Sequence, residues 1–138
     1  MADDLTKTMA ISASGMKVQG TRLRVIAENL ANAESTAKHS GDLPYRRKVV
    51  TFQNALDKEM KTNLVKVRKV DVDRSDFNRR YQPGHPSADA DGYVLLPNVN
   101  ALVETMDMRE AQRSYEANLG VIEATKQMLS RTVDLLRN

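Results

Sequence analysis

The sequence predicts an elongated α+β protein: long N- and C-terminal helices packed as a coiled-coil-like layer, with a small antiparallel β-rich region between them. Three observations lead there. Apolar residues recur at alternating steps of four and three near both ends, the spacing of a narrow helical seam. The middle alternates valine with charge, as in Leu64-Val-Lys-Val-Arg-Lys-Val70, the pattern of a half-solvated strand. Leu, Ile, Val and Phe make up only 31 of 138 residues, with six aromatic side chains and no Trp, too few for a compact, aromatic-centred core. Three segments follow: a helix in 1–33, a linker and small β-rich domain in 34–97, and a second helix in 98–138.

The first helix is expected over residues 3–31. Its ladder is Leu5, Met9, Ser12, Met16, Gln19, Leu23, Ile26 and Leu30, six of eight apolar. Gly15 and Gly20 cost about 1 kcal/mol each in helix propensity and admit a close neighbour. Alone, such a helix is marginal in water. Residues 32–45 are polar and turn-rich, a loop. Strands are expected at Arg46–Phe52, Leu64–Val72, Arg79–Gln82 and Tyr93–Leu96, with a helical turn or two in Gln53–Lys61. A small antiparallel meander is their simplest arrangement. The second helix is expected over 98–137, with Asn98 and Asn100 as candidate N-caps. Its ladder is Met108, Ala111, Tyr115, Asn118, Ile122, Thr125, Leu129, Thr132 and Leu136. Helices of roughly 40 and 60 Å imply an extended subunit. Leu5, Met9, Met16, Leu23, Ile26, Leu30, Tyr115, Ile122, Leu129 and Leu136 are the residues expected to bury between subunits. Polar seam residues such as Ser12, Gln19, Asn118 and Thr125 either tolerate a wet edge or fix register.

Charge is unevenly spread. Residues 1–45 are neutral, residues 46–80 carry eleven basic and five acidic side chains, and residues 81–138 carry five basic and eight acidic. A nucleic-acid interface would place stacking aromatics beside those cations, and they are missing, so a solvated strand is the preferred reading and no nucleic acid is expected. A basic middle and an acidic C-terminal segment could also meet across copies. Catalytic chemistry is thin. There is no cysteine, which removes thiolate metal sites and Cys nucleophiles. His39 and His85 are far apart and lack metal-ligand spacing. Asp89-x-Asp91-Gly92 resembles the middle of a calcium loop, but Asn98 stands where a bidentate Glu is needed. A tight turn using Gly92 is the better account. No cofactor and no enzymatic activity are expected. No run approaches the roughly 20 apolar residues of a membrane helix, so no direct membrane insertion is expected, and Met1–Leu5 shows no cleavable signal.

Longer motifs carry a resemblance. Glu28-Asn-Leu-Ala-Asn-Ala-Glu-Ser-Thr36 closes the first helix; Leu43-Pro-Tyr-Arg-Arg47 and Tyr81-Gln-Pro-Gly-His-Pro-Ser-Ala-Asp-Ala-Asp-Gly-Tyr-Val94 fill the middle; Pro97-Asn-Val-Asn100, Glu104-Thr-Met-Asp-Met and Ala111-Gln-Arg-Ser-Tyr-Glu-Ala-Asn118 follow. In this order the chain resembles the bacterial flagellar axial family of rod, hook and hook-associated subunits, and its short length resembles the proximal rod members. The resemblance implies a structural subunit that polymerises into the drive shaft of the basal body, transmits torque across the periplasm, and leaves the cell by the flagellar type III apparatus. Implied partners are copies of itself, other proximal rod proteins, and basal-body and export-gate components. Asn29, Leu30, Ala31 and Asn32 would close the first helix. Pro83, Gly84, Asp91, Gly92 and Tyr93 would shape a turn, and Tyr115 and Asn118 would lie in the packed helical layer. The competing reading is a helical adaptor or export chaperone that uses the same stripes on one partner.

Overall fold

The computed structural model describes residues 1–137; Asn138, the last residue of the third expected segment, lies outside them. The first helix, α1, runs Ala2–Ala31. No side chain caps its start, but Asp3 and Asp4 complement the helix dipole there. It ends at Asn32, whose side-chain amide and backbone N–H both donate to the Glu28 carbonyl.

Strand β1 (Lys48–Asp57) and strand β2 (Thr62–Val72) form one antiparallel hairpin. The expected helical turn in 53–61 is therefore wrong. Residues 53–57 continue the strand, and only Lys58–Lys61 turn. The cause is local. The Asp57 carboxylate accepts the backbone N–H of Glu59 and of Met60, and Lys61 takes a left-handed φ of 51°, which closes a four-residue loop. A bulge at Thr51/Phe52 shifts the register and leaves Arg68 without an opposite residue.

Strands β3 (Asn78–Tyr81) and β4 (Tyr93–Leu96) make a second antiparallel pair. The β-region is thus two separate hairpins, not one meander. Val94 and Leu96 point inward and are buried, while β3 is exposed along its length. The connecting loop is built around Asp89, whose carboxylate accepts the N–H groups of Asp91 and Tyr93. Gly92 has φ +82°, and a Cβ there would lie 2.9 Å from the Tyr81 ring; that ring packs edge-on against Tyr93, centroids 5.3 Å apart.

Helix α2 runs Ala101–Arg137. Of the two candidate caps only Asn100 serves: its Oδ1 accepts the N–H of Leu102 and of Val103. Asn98 ties loops together instead. α1 and α2 pack antiparallel, as contacts Asn29–Glu104, Arg22–Asp107 and Gly15–Asn118 show in sequence. The hairpin lies on α1, with the Val65 N–H donating to Ser14 Oγ at 3.3 Å. The apolar core is small: Val18, Val25 and Ile26 from α1, Val94, Leu96 and Val99 from around β4, and Ala111 from α2.

Candidate functional site

The most constrained place in the molecule is where the end of α1, the start of β1 and the start of α2 converge. Asn29, only 1% exposed, uses its whole amide there. Its Nδ2 donates to the Lys48 carbonyl at 2.8 Å and to Glu104 Oε2 at 3.1 Å. Its Oδ1 accepts the Lys48 N–H at 2.9 Å and the Tyr45 hydroxyl at 2.8 Å. Glu104 is equally buried, and its other oxygen accepts from Arg47 Nε. Arg47 also approaches Asp73 at 3.6 Å and Asp107 at 3.8 Å. A buried carboxylate needs such a cation and such donors, since desolvation of an unpaired charge is costly.

The charges fit the geometry. Burial opposes the Arg47 charge, but the Glu104 carboxylate bonded to it, with Asp73 and Asp107 nearby, raises its pKa above the usual arginine value. Burial first, then the negative charges of Glu28 and Glu104, pushes the Tyr45 phenol up to about 12, so it stays a neutral donor to Asn29. The Ser75 backbone N–H, then its hydroxyl, holds Asp73 below the usual carboxylate range. Asn98 completes the junction. Its Oδ1 accepts the Arg47 N–H, and its Nδ2 donates to the carbonyls of Asp73 and Ser75.

Below the junction the two helices meet along the expected ladders. Leu5, Met9, Met16, Leu23, Ile26 and Leu30 in α1 are all buried or half-buried, as are Tyr115, Ile122 and Leu129 in α2. Leu136 is 84% exposed. These ladders therefore face each other inside one chain. Asn118 lies on the seam against Gly15, where any Cβ would meet its amide at 3.0 Å. Thr125 is buried and bonds back to the Val121 carbonyl. Gln19 Oε1 is buried with no partner among the described residues.

A second, interrupted stripe of exposed apolar side chains runs along α2. Val103 and Met106 begin it and Ala117, Val121, Ala124, Met128 and Leu135 continue it, Met106 exposed to 64% and Leu135 to 79%; the charged Glu110, Arg113 and Arg131 stand on the same line, Glu110 bonded to Arg22 of α1. At 3.6 residues per turn the stripe lies roughly a third of a turn from the buried ladder.

Sequence reasoning placed Asn29 in the closing turn of α1 and picked out the ladder residues, which it expected to bury between subunits. It missed Tyr45, Arg47, Lys48, Asn98 and Glu104 as members of one junction, and it missed the second stripe. One signal was available: a further step of four back from Met108 lands on Glu104, a carboxylate at a seam position. The turn residues Pro83, Gly84, Asp91 and Gly92 lie in the β3–β4 loop and Tyr93 opens β4 beside them, away from this junction. Among the described residues no cluster of acidic, His or Cys side chains could hold a metal ion, and no helix is long and apolar enough to cross a membrane. The site offers packing and locked geometry.

Known proteins share this chain's sequence closely. A model of the family described as flagellar basal body rod FlgEFG protein C-terminal matches residues 90–135, which span β4 and nearly all of α2. The chain is 52% identical to the flagellar basal-body rod protein FlgC of Agrobacterium fabrum, covering 98% of this chain and 97% of that protein. It is 41% identical to the FlgC proteins of Bacillus subtilis and of Salmonella typhimurium, covering 93% and 91% of this chain and 95% and 92% of those proteins.

Proposed function

This chain belongs to the flagellar basal-body rod protein FlgC family, and from that membership we propose that it is a structural subunit of the proximal rod, polymerising with its own copies and with other proximal rod proteins. It is not an enzyme. Its place is the rod of the flagellar basal body, reached through the flagellar type III system and its export gate. The observation that carries the assembly reading is the second stripe on α2. The first ladder is already occupied by α1, so a helix with another apolar seam is built to join a larger bundle.

Torque transmission needs subunits that neither slide nor deform. The buried junction supplies the second requirement. It fixes the angle at which the β-hairpins leave the helical pair, because α1, β1 and α2 share one set of hydrogen bonds. Repeated stripes supply the first, at about 25 cal/mol per Å² of apolar surface removed from water. The Leu5-to-Leu30 ladder and Tyr115, Ile122 and Leu129 then act behind the interface by holding the helical pair, while Leu136 reaches the neighbours directly.

The test separates the two seams. Val121→Asp and Met128→Asp, on the exposed stripe, are expected to leave the isolated chain folded but keep it out of purified basal bodies and abolish motility. Leu30→Asp and Ile122→Asp, on the ladders, are expected to abolish incorporation and also lower the chain's own helicity by circular dichroism. Normal basal bodies containing Val121→Asp with Met128→Asp would overturn the reading.

A further inference from the structure

Helix α1 is weakest in its middle. Gly15 and Gly20 are poor helix formers. Ser14 bonds back to the Ile11 carbonyl at 2.7 Å, which loosens a helix, and Ser14-Gly15 is the kind of pair at which helices kink. α2 supports this stretch on one side, where Asn118 meets Gly15. The β1–β2 hairpin also packs on α1, and not on α2. Its two fastenings bracket the glycines. At one end the Lys48 carbonyl and N–H bond to Asn29 at 2.8 and 2.9 Å, and Lys48 Nζ bonds to Glu28. At the other the Val65 N–H donates to Ser14 Oγ. There Val65 and Val67, both half-buried, line one cleft with the buried Val18 of α1. Residues 14 and 29 of a helix lie about 22 Å apart. Lys48 and Asn54, the residue paired with Val65, lie about 20 Å apart along a strand. The hairpin therefore runs back along α1 over the whole stretch that holds both glycines, fastened at each end.

We propose that the β1–β2 hairpin is a splint for α1, and that Ser14 is the positioning residue that fastens its far end. A helix held to the hairpin only at Asn29 is free to bend at Gly15 and Gly20. Held at both ends to a paired ribbon, it bends only by breaking the Ser14–Val65 hydrogen bond and pulling Val18 away from the strand. This accounts for a serine in the helix interior, where its propensity is poor: the hydroxyl is the acceptor that β2 needs. The splint is a property of the single chain and goes beyond the assembly reading. Within that reading, load on the hairpin enters α1 at two points rather than one.

Amide hydrogen exchange of the purified full chain, followed peptide by peptide by mass spectrometry, tests this. Ser14→Ala replaces a middling helix former with the best one, so helix propensity alone dictates slower exchange in residues 15–21. The splint dictates the opposite: exchange there about two- to fivefold faster, with residues 101–115 of α2 unchanged. Val65→Ala with Val67→Ala leaves the sequence of α1 intact and is expected to speed the same amides about tenfold. Leu56→Ala, near the hairpin tip and 64% exposed, is expected to leave them at the native rate. Slower or unchanged exchange in Ser14→Ala, an acceleration spread evenly over α1 and α2, or the same acceleration from Leu56→Ala would overturn the splint. Each result stands whether or not the chain enters basal bodies, so the assembly reading is tested separately.

Discussion

Asn29 and Glu104 show how much one position can decide. Asn29 makes four hydrogen bonds from a short side chain, to β1, to α2 and to Tyr45 of the loop before β1, and no other residue type offers two donors and an acceptor at that reach. Glu104 is buried because it occupies a seam position one step before Met108, and its two oxygens are satisfied there by Arg47 and Asn29. Glu104→Ala leaves Arg47 with only the longer approaches to Asp73 and Asp107. It is expected to cost about 3 kcal/mol, and Asn29→Ala about 2 kcal/mol, both read from urea unfolding midpoints. Because the two share a hydrogen bond, the double variant should fall short of the sum; strict additivity would mean they do not act as one unit. Little of this was legible in the sequence. The motifs containing Asn29, Arg47 and Glu104 stood out one by one, but their meeting depends on chain separations of 57 and 75 residues, which no local pattern encodes.

At the scale of elements, α1, α2, β2 and β4 were legible because four-three and two-residue periodicities are local and strong. β1 was read too short. Asn54, Ala55 and Leu56 look helical in isolation, and only pairing with Leu64 and Val65 across the turn makes them strand, a tertiary override of propensity. The glycines of α1 divide along the same line. Gly15 packs against Asn118, whereas nothing lies within 4 Å of a Cβ built at Gly20. Gly15→Ala is therefore expected to spread the seam and destabilise by about 1–3 kcal/mol. Gly20→Ala is expected to gain about 0.5–1 kcal/mol from helix propensity. Thermal unfolding of the two variants checks the pair, and equal shifts of the same sign would mean that the Gly15–Asn118 approach does not constrain the helices.

For the whole molecule, the scarcity of Leu, Ile, Val and Phe becomes intelligible. Among the described residues only seven hydrophobic side chains are buried, and further apolar surface lies exposed along α2. The sequence showed that the chain was too lean for a self-sufficient globule. It did not show that the expected ladders would be satisfied internally, because spacing identifies a seam without naming its partner. The same dependence holds within the chain: α1 alone has two glycines, no side-chain cap and a narrow stripe, so without α2 it should not persist. A chain ending at residue 100 is expected to lose the helicity of α1 together with that of α2, a drop by circular dichroism well beyond the share of the missing residues. Retention of a full α1 signal would contradict this.

The antiparallel pairing of the first element with the last also sets an order of events during synthesis. α1 leaves the ribosome first, yet the residues that cover its ladder are translated only from Ala101 onward. At roughly 5–20 residues per second the interval is on the order of 5–20 s. Closing the loop between Asn29 and Glu104 brings together residues 75 apart and adds an entropic barrier that grows with the logarithm of that separation. Throughout this interval the N-terminal segment is an uncommitted amphipathic stretch, available to any factor that captures nascent chains. A faster final third of translation would shorten that window, and a pause before codon 101 would lengthen it, without altering a single contact of the finished subunit.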